Sequence, residues 1–285
     1  MTAPVHAFLA AAALCAAHAL QIAWAATPAP HCASLPPTLA RTLQPGALLL
    51  LGELHGSVQS PAMAARIVCG ALRHDRQVVL FLEIPHDEQP RLDAYLRSVG
   101  DAEARRALVR GSNFWEAPPE GQDGRCSLAI FDLIDAVRRL RQQSAALTLI
   151  AFDVDGADAA DRDRTMADRV RTERARDPTA LLIAYTGNIH NMPALPPGLA
   201  GGIPAPMATH LRDLRAVALD LRAEEGGTAW NCRESCVVHA TAPTPAAVRR
   251  ALSEERPMPY TAVWPLGPVT ASLPAVYRLD AGVAR

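Results

Sequence analysis

Several features that mark common classes of protein are missing from this chain of 285 residues. It contains no lysine, so its 28 basic residues are all arginines, and 29 acidic residues balance them to a net charge of −1. A chain without a basic excess lacks the usual electrostatic basis for binding nucleic acid or an anionic membrane surface. After residue 25 there is also no apolar run long enough to span a membrane. We therefore expect the partner to be a small molecule or a peptide.

Three motifs of well-known enzyme classes are absent as well. The chain has no Gly-x-Ser-x-Gly, no phosphate-binding glycine loop and no His-Glu-x-x-His. The first of these motifs places the serine of many α/β-hydrolases, and the last holds the zinc ion of many metalloproteases. A hydrolase built from this chain must use another arrangement of residues.

The first 25 residues are typical of a cleavable signal peptide. Residues 7–24 are almost wholly apolar or small, and Ala23-Trp24-Ala25 has the small-x-small pattern that a signal peptidase recognises. We predict an exported protein, periplasmic or secreted, with no membrane span once the leader is cleaved. An uncleaved N-terminal anchor is the alternative.

The cysteines fit an oxidising compartment, but their spacing leaves the connectivity open. An odd number remains after the leader: Cys32, Cys69, Cys126, Cys232 and Cys236. Cys69 lies in the apolar stretch 64–72, so we expect a buried free thiol there. Cys232 and Cys236 are close enough to bridge each other, although either could pair with Cys126 or Cys32. With His239 they also have a loose metal-ligand spacing, but a disulfide is favoured.

Apolar runs typical of buried strands alternate along the chain with amphipathic segments typical of helices. The predicted strands are 47–51, 78–82, 147–152, 180–185 and 217–221. This alternation predicts a single α/β domain over residues 26–285, with a mostly parallel central sheet and helices on both faces. Residues 86–143 exceed the length of one crossover helix, so we expect a helical insertion over the C-terminal strand edge. The runs 260–264 and 275–279 suggest an edge hairpin.

Polar side chains follow the predicted strands at the points where they end. The first strand ends in Gly52-Glu53-Leu54-His55, and the next two deliver Glu83 and Asp153. The fourth is followed by Asn188 and His190. Because the carboxyl ends of parallel strands share one edge, where open α/β sheets bind their ligands, we expect these residues to converge.

These residue types suit hydrolysis. A histidine can take a proton from water and return it to a leaving group, and a neighbouring carboxylate fixes its tautomer. Two histidines with a carboxylate can also hold a divalent metal that keeps a position open for water. Asn188, Asp153 and Trp115 are candidates for binding substrate, although Trp115 is equally suited to core packing. We interpret the acids near residue 160, including Asp163, as complementing a helix dipole.

At these residues the chain resembles the superfamily that contains ChaN-like proteins, Tiki/TraB proteins and erythromycin esterases. The resemblance rests on Gly-Glu-x-His at 52–55, Glu83 at a strand end, and Gly-Asn-x-His at 187–190, and it spans about residues 48–221. It implies an α/β domain with a His/Glu cluster in a central cleft. Among these relatives, erythromycin esterases use a histidine to activate water, Tiki proteins are metal-dependent proteases, and ChaN-like proteins are exported and bind haem. A divalent metal or haem is therefore compatible with the resemblance.

Carried over by motif, the functional set is Glu53, His55, Glu83 and His190, as catalytic residues or as metal ligands. Our first hypothesis is an exported hydrolase, metal-assisted or metal-free, that cleaves an ester, lactone or peptide bond. The alternative is a ChaN-like protein that binds haem or iron for uptake without catalysis. A third is an inactive relic of the fold.

Overall fold

The computed structural model describes residues 32, 35–73, 76–154, 159–196, 198–199, 201–245 and 261–281. The predicted leader lies outside these ranges, and its cleavage stays a prediction. Within the described residues, no helix is long and apolar enough to cross a membrane.

A parallel sheet forms the centre of the molecule. Its six described strands are β1 (Leu48–Glu53), β2 (Val78–Pro85), β3 (Leu147–Asp153), β4 (Leu181–Gly187), β5 (Val217–Arg222) and β8 (Ala262–Pro265). They lie in the order β3-β2-β4-β1-β5-β8, and every neighbouring pair is parallel. β6 (Gly227–Cys232) and β7 (Cys236–Thr241) form a separate antiparallel hairpin. The expected parallel α/β architecture is confirmed.

Helices cover both faces of this sheet, as the uninterrupted apolar strands require. One face carries α2 (Gln59–Leu72), α3 (Gln89–Arg97), α4 (Ala102–Val109) and α5 (Leu128–Gln143), and the other carries α6 (Ala159–Arg176) and α7 (Met207–His210). Short helices α1 (Pro37–Ala40) and α8 (Ala275–Ala281) lie near the two ends of the chain. In β1, Leu49 and Leu51 join the first core while Leu48 and Leu50 join the second, because successive side chains point to opposite faces.

The insertion at 86–143 divides between a face and an edge of the sheet. Its helices pack on the face that α2 covers, and the loop before α5 reaches the C-terminal strand ends. Trp230 of the hairpin holds this loop by donating its indole N–H to the Gln122 carbonyl at 2.6 Å. Gly124 has φ +101°, and a Cβ there would lie 2.7 Å from the Gly56 nitrogen, so only glycine fits.

The C-terminal segment differs from the expected edge hairpin. Residues 262–265 form the parallel edge strand β8, whereas 275–281 form helix α8. Val276 and Tyr277 favour strands by propensity, but Ala275 is buried in the first core and α8 contacts α5. Tertiary packing therefore overrides the local preference.

The expectation of a free thiol at Cys69 was wrong. Cys69 forms a disulfide with Cys32, because the N-terminal segment crosses α2 closely enough for Leu35 to pack against Gly70. Cys232 and Cys236 bridge each other across the hairpin, which was one of the open alternatives. Cys126 is buried and free.

Candidate active site

The predicted residues converge where the chain leaves adjacent strands toward opposite faces of the sheet. β1 and β2 continue into helices on one face, whereas β4, which lies between them, continues toward α7 on the other. Such a divergence opens a crevice at the carboxyl ends of the strands. Glu53, His55, Glu83 and His190 all contribute side chains to this crevice.

The first histidine is held by its neighbour in sequence. His55 Nδ1 lies 2.9 Å from Glu53 Oε1, and because a carboxylate only accepts, this nitrogen carries the proton. The other Glu53 oxygen accepts the hydroxyl of Tyr185, which lies 2.9 Å from the hydroxyl of Ser60. We call His55 with Glu53 the His55 pair.

The second histidine is held by a residue distant in sequence. His190 Nδ1 lies 2.8 Å from Asp163 Oδ1, on α6. The same oxygen accepts the backbone N–H of Met207 at 2.6 Å, which fixes the carboxylate. We call His190 with Asp163 the His190 pair.

Glu83 lies between the two pairs. Its Oε2 is 3.6 Å from His55 Nε2 and its Oε1 is 3.6 Å from His190 Nε2. It also accepts the Gly187 N–H and Arg162 Nη2, each at 2.6 Å. A Cβ at Gly187 would lie 2.8 Å from His55 Nε2, so this close approach requires glycine.

Two arginines and Asp153 form the wall beside Glu83. Asp153 is fully buried and accepts Arg162 Nε at 2.6 Å and Arg125 Nη1 at 2.5 Å. Arg162 Nη1 lies 3.4 Å from His190 Nε2. Asp153 therefore positions the guanidinium groups and lies behind them, not in the cleft where we expected it to bind substrate.

Opposing effects act on the pKa values of this cluster. Burial lowers the pKa of His55, but the carboxylates of Glu83 and Glu53 outweigh it and raise the pKa to about 9. For His190, burial and Arg162 lower the pKa, whereas Asp163 and Glu83 raise it, and the net direction is upward. Burial raises the pKa of Glu83, yet the two histidines and two arginines hold it well below its usual range. At neutral pH Glu83 is therefore ionised and His55 is protonated.

Asn188 and Trp115, the other two candidates for binding substrate, lie in different surroundings. The backbone N–H of Asn188 donates to the Glu53 carbonyl at 2.8 Å, and its side chain hydrogen-bonds Asp220 and lines a neighbouring cavity. Trp115 is fully buried against Phe114 and Phe131 in the first core. Trp115 therefore packs in the core, which was the alternative that the sequence left open.

Several residues of the cluster were not predicted from the sequence. Asp163 was interpreted only as complementing a helix dipole, and Arg125 and Arg162 were not singled out. Tyr185 could have been identified from the sequence, because a tyrosine in a fully buried strand usually finds a hydrogen-bond partner for its hydroxyl. Here that partner is Glu53.

The cluster does not fit a divalent metal. In the part of the chain that the structure describes, no group of three or more histidine, cysteine, aspartate or glutamate side chains is arranged to hold one. The guanidinium groups of Arg125 and Arg162 lie beside Glu83, and Arg162 also contacts Asp153. These two positive charges oppose the binding of a divalent cation by Glu53, His55, Glu83 and His190.

No protein-family model and no curated protein matches this chain. Among solved structures, it is similar to a mutant erythromycin esterase in its open conformation, with 12% identity, a TM-score of 0.53, and coverage of 83% of this chain and 90% of the esterase. It is also similar to a succinoglycan biosynthesis protein, with 11% identity, a TM-score of 0.53, and coverage of 74% and 76%. The likeness to ChaN of Campylobacter jejuni, a structure with cofacial haem, is weaker, with 11% identity, a TM-score of 0.40, and coverage of 74% and 93%. The first two confirm, at the level of the fold, the resemblance that the motifs suggested.

Proposed function

We propose that this protein is a hydrolase that cleaves an ester, lactone or peptide bond by histidine acid–base catalysis. One observation carries the proposal: two imidazoles, each held at Nδ1 by a carboxylate, direct Nε2 toward the same glutamate at the carboxyl ends of the strands. A carboxylate at Nδ1 fixes the tautomer whose Nε2 can exchange a proton with water or substrate.

In this proposal His55 is the general base. Its Nδ1–H donates to Glu53, so loss of the other proton leaves Nε2 free to accept one from an attacking water. Glu83, 3.6 Å from Nε2, stabilises the imidazolium that then forms. Because the pKa of His55 is about 9, the basic form increases as the pH rises toward that value.

His190 is the general acid. Asp163 and Glu83 favour its protonated form, and its Nε2 faces the cleft beside Arg162 Nη1. A proton from Nε2 can pass to the oxygen or nitrogen that leaves, while the guanidinium stabilises negative charge that develops there.

We further propose that the protein works outside the cytoplasm. The leader pattern at residues 1–25 and the disulfides Cys32–Cys69 and Cys232–Cys236 support this location, because disulfides persist mainly in oxidising compartments. Fractionation of the expressing cells, with N-terminal sequencing of the recovered protein, tests it.

Hydrolysis is tested with purified protein on p-nitrophenyl esters, aliphatic lactones and a peptide library. We expect turnover of at least one class, with a loss of about 10²-fold or more in the His55→Ala variant. Haem titration followed by absorbance runs in parallel. Absence of turnover together with a Soret band that saturates at a simple haem ratio would contradict the hydrolase and support the ChaN-like alternative.

A further inference from the structure

A cavity of about 260 Å³ adjoins the His55 pair on the side away from Arg162. It is lined by the residues after β1, the end of β5, the hairpin and residues 241–245. Leu54, which separates Glu53 from His55, lines it, and so does Asn188, which follows Gly187 directly. Ala242, Pro243 and Pro245 are exposed at its rim, so the cavity opens to solvent.

Hydrogen bonds connect this cavity to the catalytic cluster. Ser60 lines it, and its hydroxyl is 2.9 Å from the Tyr185 hydroxyl, which in turn donates to Glu53. Ser57 Oγ accepts the Ser60 N–H at 3.4 Å. A group seated in the cavity therefore lies against the wall that holds the His55 pair.

Among the described residues, the lining carries no uncompensated charge. The ionisable side chains of this described lining are Asp220 and Arg222, which form an ion pair with each other. Asp220 also hydrogen-bonds Asn188, and the rest of the lining is mainly apolar, with Leu221, Ala229, Leu266 and Val269 among it. A carboxylate or an ammonium group seated there would lose its hydration without gaining a counter-ion, so a neutral ligand is favoured.

The volume sets the size of the group that the cavity can hold. A cavity of about 260 Å³ has the volume of roughly nine water molecules, below the usual range of pockets for drug-sized ligands. It holds a compact group, and a longer chain would extend past the exposed rim into solvent.

We propose that this cavity binds the neutral acyl group of the substrate and holds roughly four to nine of its non-hydrogen atoms. This inference rests on the proposed hydrolase function, and it narrows the substrate class to derivatives with a neutral acyl group whose scissile carbonyl lies at the His55 pair.

The test compares acyl chain lengths and a filled cavity. We expect kcat/KM for p-nitrophenyl esters to rise from acetate to hexanoate and to change less than twofold from hexanoate to decanoate, because the end of the longer chain lies outside the rim. Ala223→Phe places a ring in the cavity, and it should lower kcat/KM for hexanoate about tenfold or more while acetate changes less than threefold. Ala104→Phe is the matched control, because Ala104 is equally half-buried but lines a groove between α3 and α4, and it should leave the chain-length profile unchanged. An unchanged profile in Ala223→Phe would overturn the proposal.

A binding measurement separates failure of the cavity from failure of the hydrolase. Ligand-detected NMR compares 2-heptanone, which is neutral and cannot be hydrolysed, with hexanoate, which has the same number of non-hydrogen atoms and a charge. We expect 2-heptanone to bind the His55→Ala variant at least tenfold more tightly than hexanoate does, and Ala223→Phe to weaken it tenfold. If Ala223→Phe does not fold, Ala242→Phe at the exposed rim replaces it. Equal binding of both ligands, or no binding of 2-heptanone, would overturn the inference whatever the outcome of the hydrolysis assay.

Discussion

The His55 pair and the His190 pair are the same chemical unit assembled in two different ways. In each, a carboxylate holds Nδ1 at 2.9 or 2.8 Å and Nε2 lies 3.6 Å from Glu83. Glu53 is two residues from His55 and reaches it from the end of the same strand, whereas Asp163 comes from α6, 27 residues before His190. Strand-end geometry creates the first pair locally, and packing of a helix against the sheet creates the second.

Their surroundings differ more than their geometry. Behind the His55 pair stand the neutral hydroxyls of Tyr185 and Ser60, whereas His190 faces the permanent cation of Arg162. A neighbouring cation opposes protonation, so Arg162 lowers the pKa of His190 while no arginine faces His55 as closely among the described contacts. The two imidazoles therefore hold their protons with different strength, because Arg162 lies beside His190.

The largest expected effect separates the two pairs by catalytic role. His55→Ala should lower kcat/KM about 10²- to 10⁴-fold because the general base is lost. His190→Ala should cost roughly tenfold to a hundredfold, since Arg162 remains to stabilise the leaving group. Steady-state kinetics on the best ester measures both losses.

His86→Ala is the control for this experiment. His86 also follows a strand end, but its Nδ1 donates to the Ala151 carbonyl and it stands outside the cluster. Activity should stay within about twofold of wild type. A greater loss in His190→Ala than in His55→Ala would reverse the assigned roles.

The second effect concerns Glu83, which both pairs share. In the wild type, kcat/KM should rise with pH up to about 9, because the basic form of His55 reaches half of the total only at its pKa of about 9. Glu83→Gln removes the carboxylate that raises this pKa most, so the rising limb should move to lower pH by about one unit or more. A pH–rate profile of both proteins checks the shift, and a limb that moves to higher pH would contradict it.

The same variant changes stability. The pKa of Glu83 is depressed in the folded state, so its contribution is present above its ordinary range near pH 4.5 and is lost as the pH falls. Glu83→Gln should therefore destabilise the protein by about 3 kcal/mol at pH 7, since it leaves two arginines short of a counter-ion. The difference in the free energy of unfolding between the wild type and Glu83→Gln should shrink toward pH 3, as measured by urea denaturation.

The third effect breaks the His190 pair alone. Asp163→Asn should lower kcat/KM about tenfold, because His190 then holds its proton less tightly and its ring is less well oriented. Because the pKa of His190 is raised in the folded state, protonation of His190 stabilises the fold below about pH 6.5. This stabilisation is lost as the pH rises through the pKa of the folded state. The loss of stability, about 1 kcal/mol, should thus be greatest in mildly acidic solution. If Asp163→Asn also shifted the rising limb of the pH–rate profile, which we assign to His55, the two pairs would not be independent.

The smallest effect tests the support behind the His55 pair. Tyr185→Phe removes the hydroxyl that donates to Glu53, so Glu53 should attract the His55 proton more strongly. The rising limb should move to higher pH, and kcat/KM at pH 8 should fall by about threefold to tenfold.

Tyr95→Phe is the matched control for Tyr185→Phe. Tyr95 is also buried, and its hydroxyl donates to Asp135 at 2.7 Å, away from the cluster. Both variants should lose about 1 kcal/mol of stability, but only Tyr185→Phe should change the pH profile. Equal pH profiles would reduce Tyr185 to a structural role.

The convergence of Glu53, His55, Glu83 and His190 was predictable from the sequence because parallel strands place their carboxyl ends on one edge in any strand order. The position of Trp115 was not predictable, because an aromatic residue in a long insertion suits a cleft and a core equally well. The same limit applied to Cys69, whose apolar neighbours indicated burial correctly but did not reveal that Cys32 crosses the helix beside it.

By itself, then, the sequence determined the parallel α/β fold, the edge that carries the chemistry and the local pairing of Glu53 with His55. Each of these depends on the alternation of apolar runs or on residues close together in the chain. Only the tertiary structure decided that Asp163 holds His190, that Arg162 and Arg125 face Glu83, and that a cavity forms beside Leu54. These contacts join segments far apart in the chain, and their geometry depends on how α6 and the loop before α5 pack against the sheet, for which no short-range pattern exists.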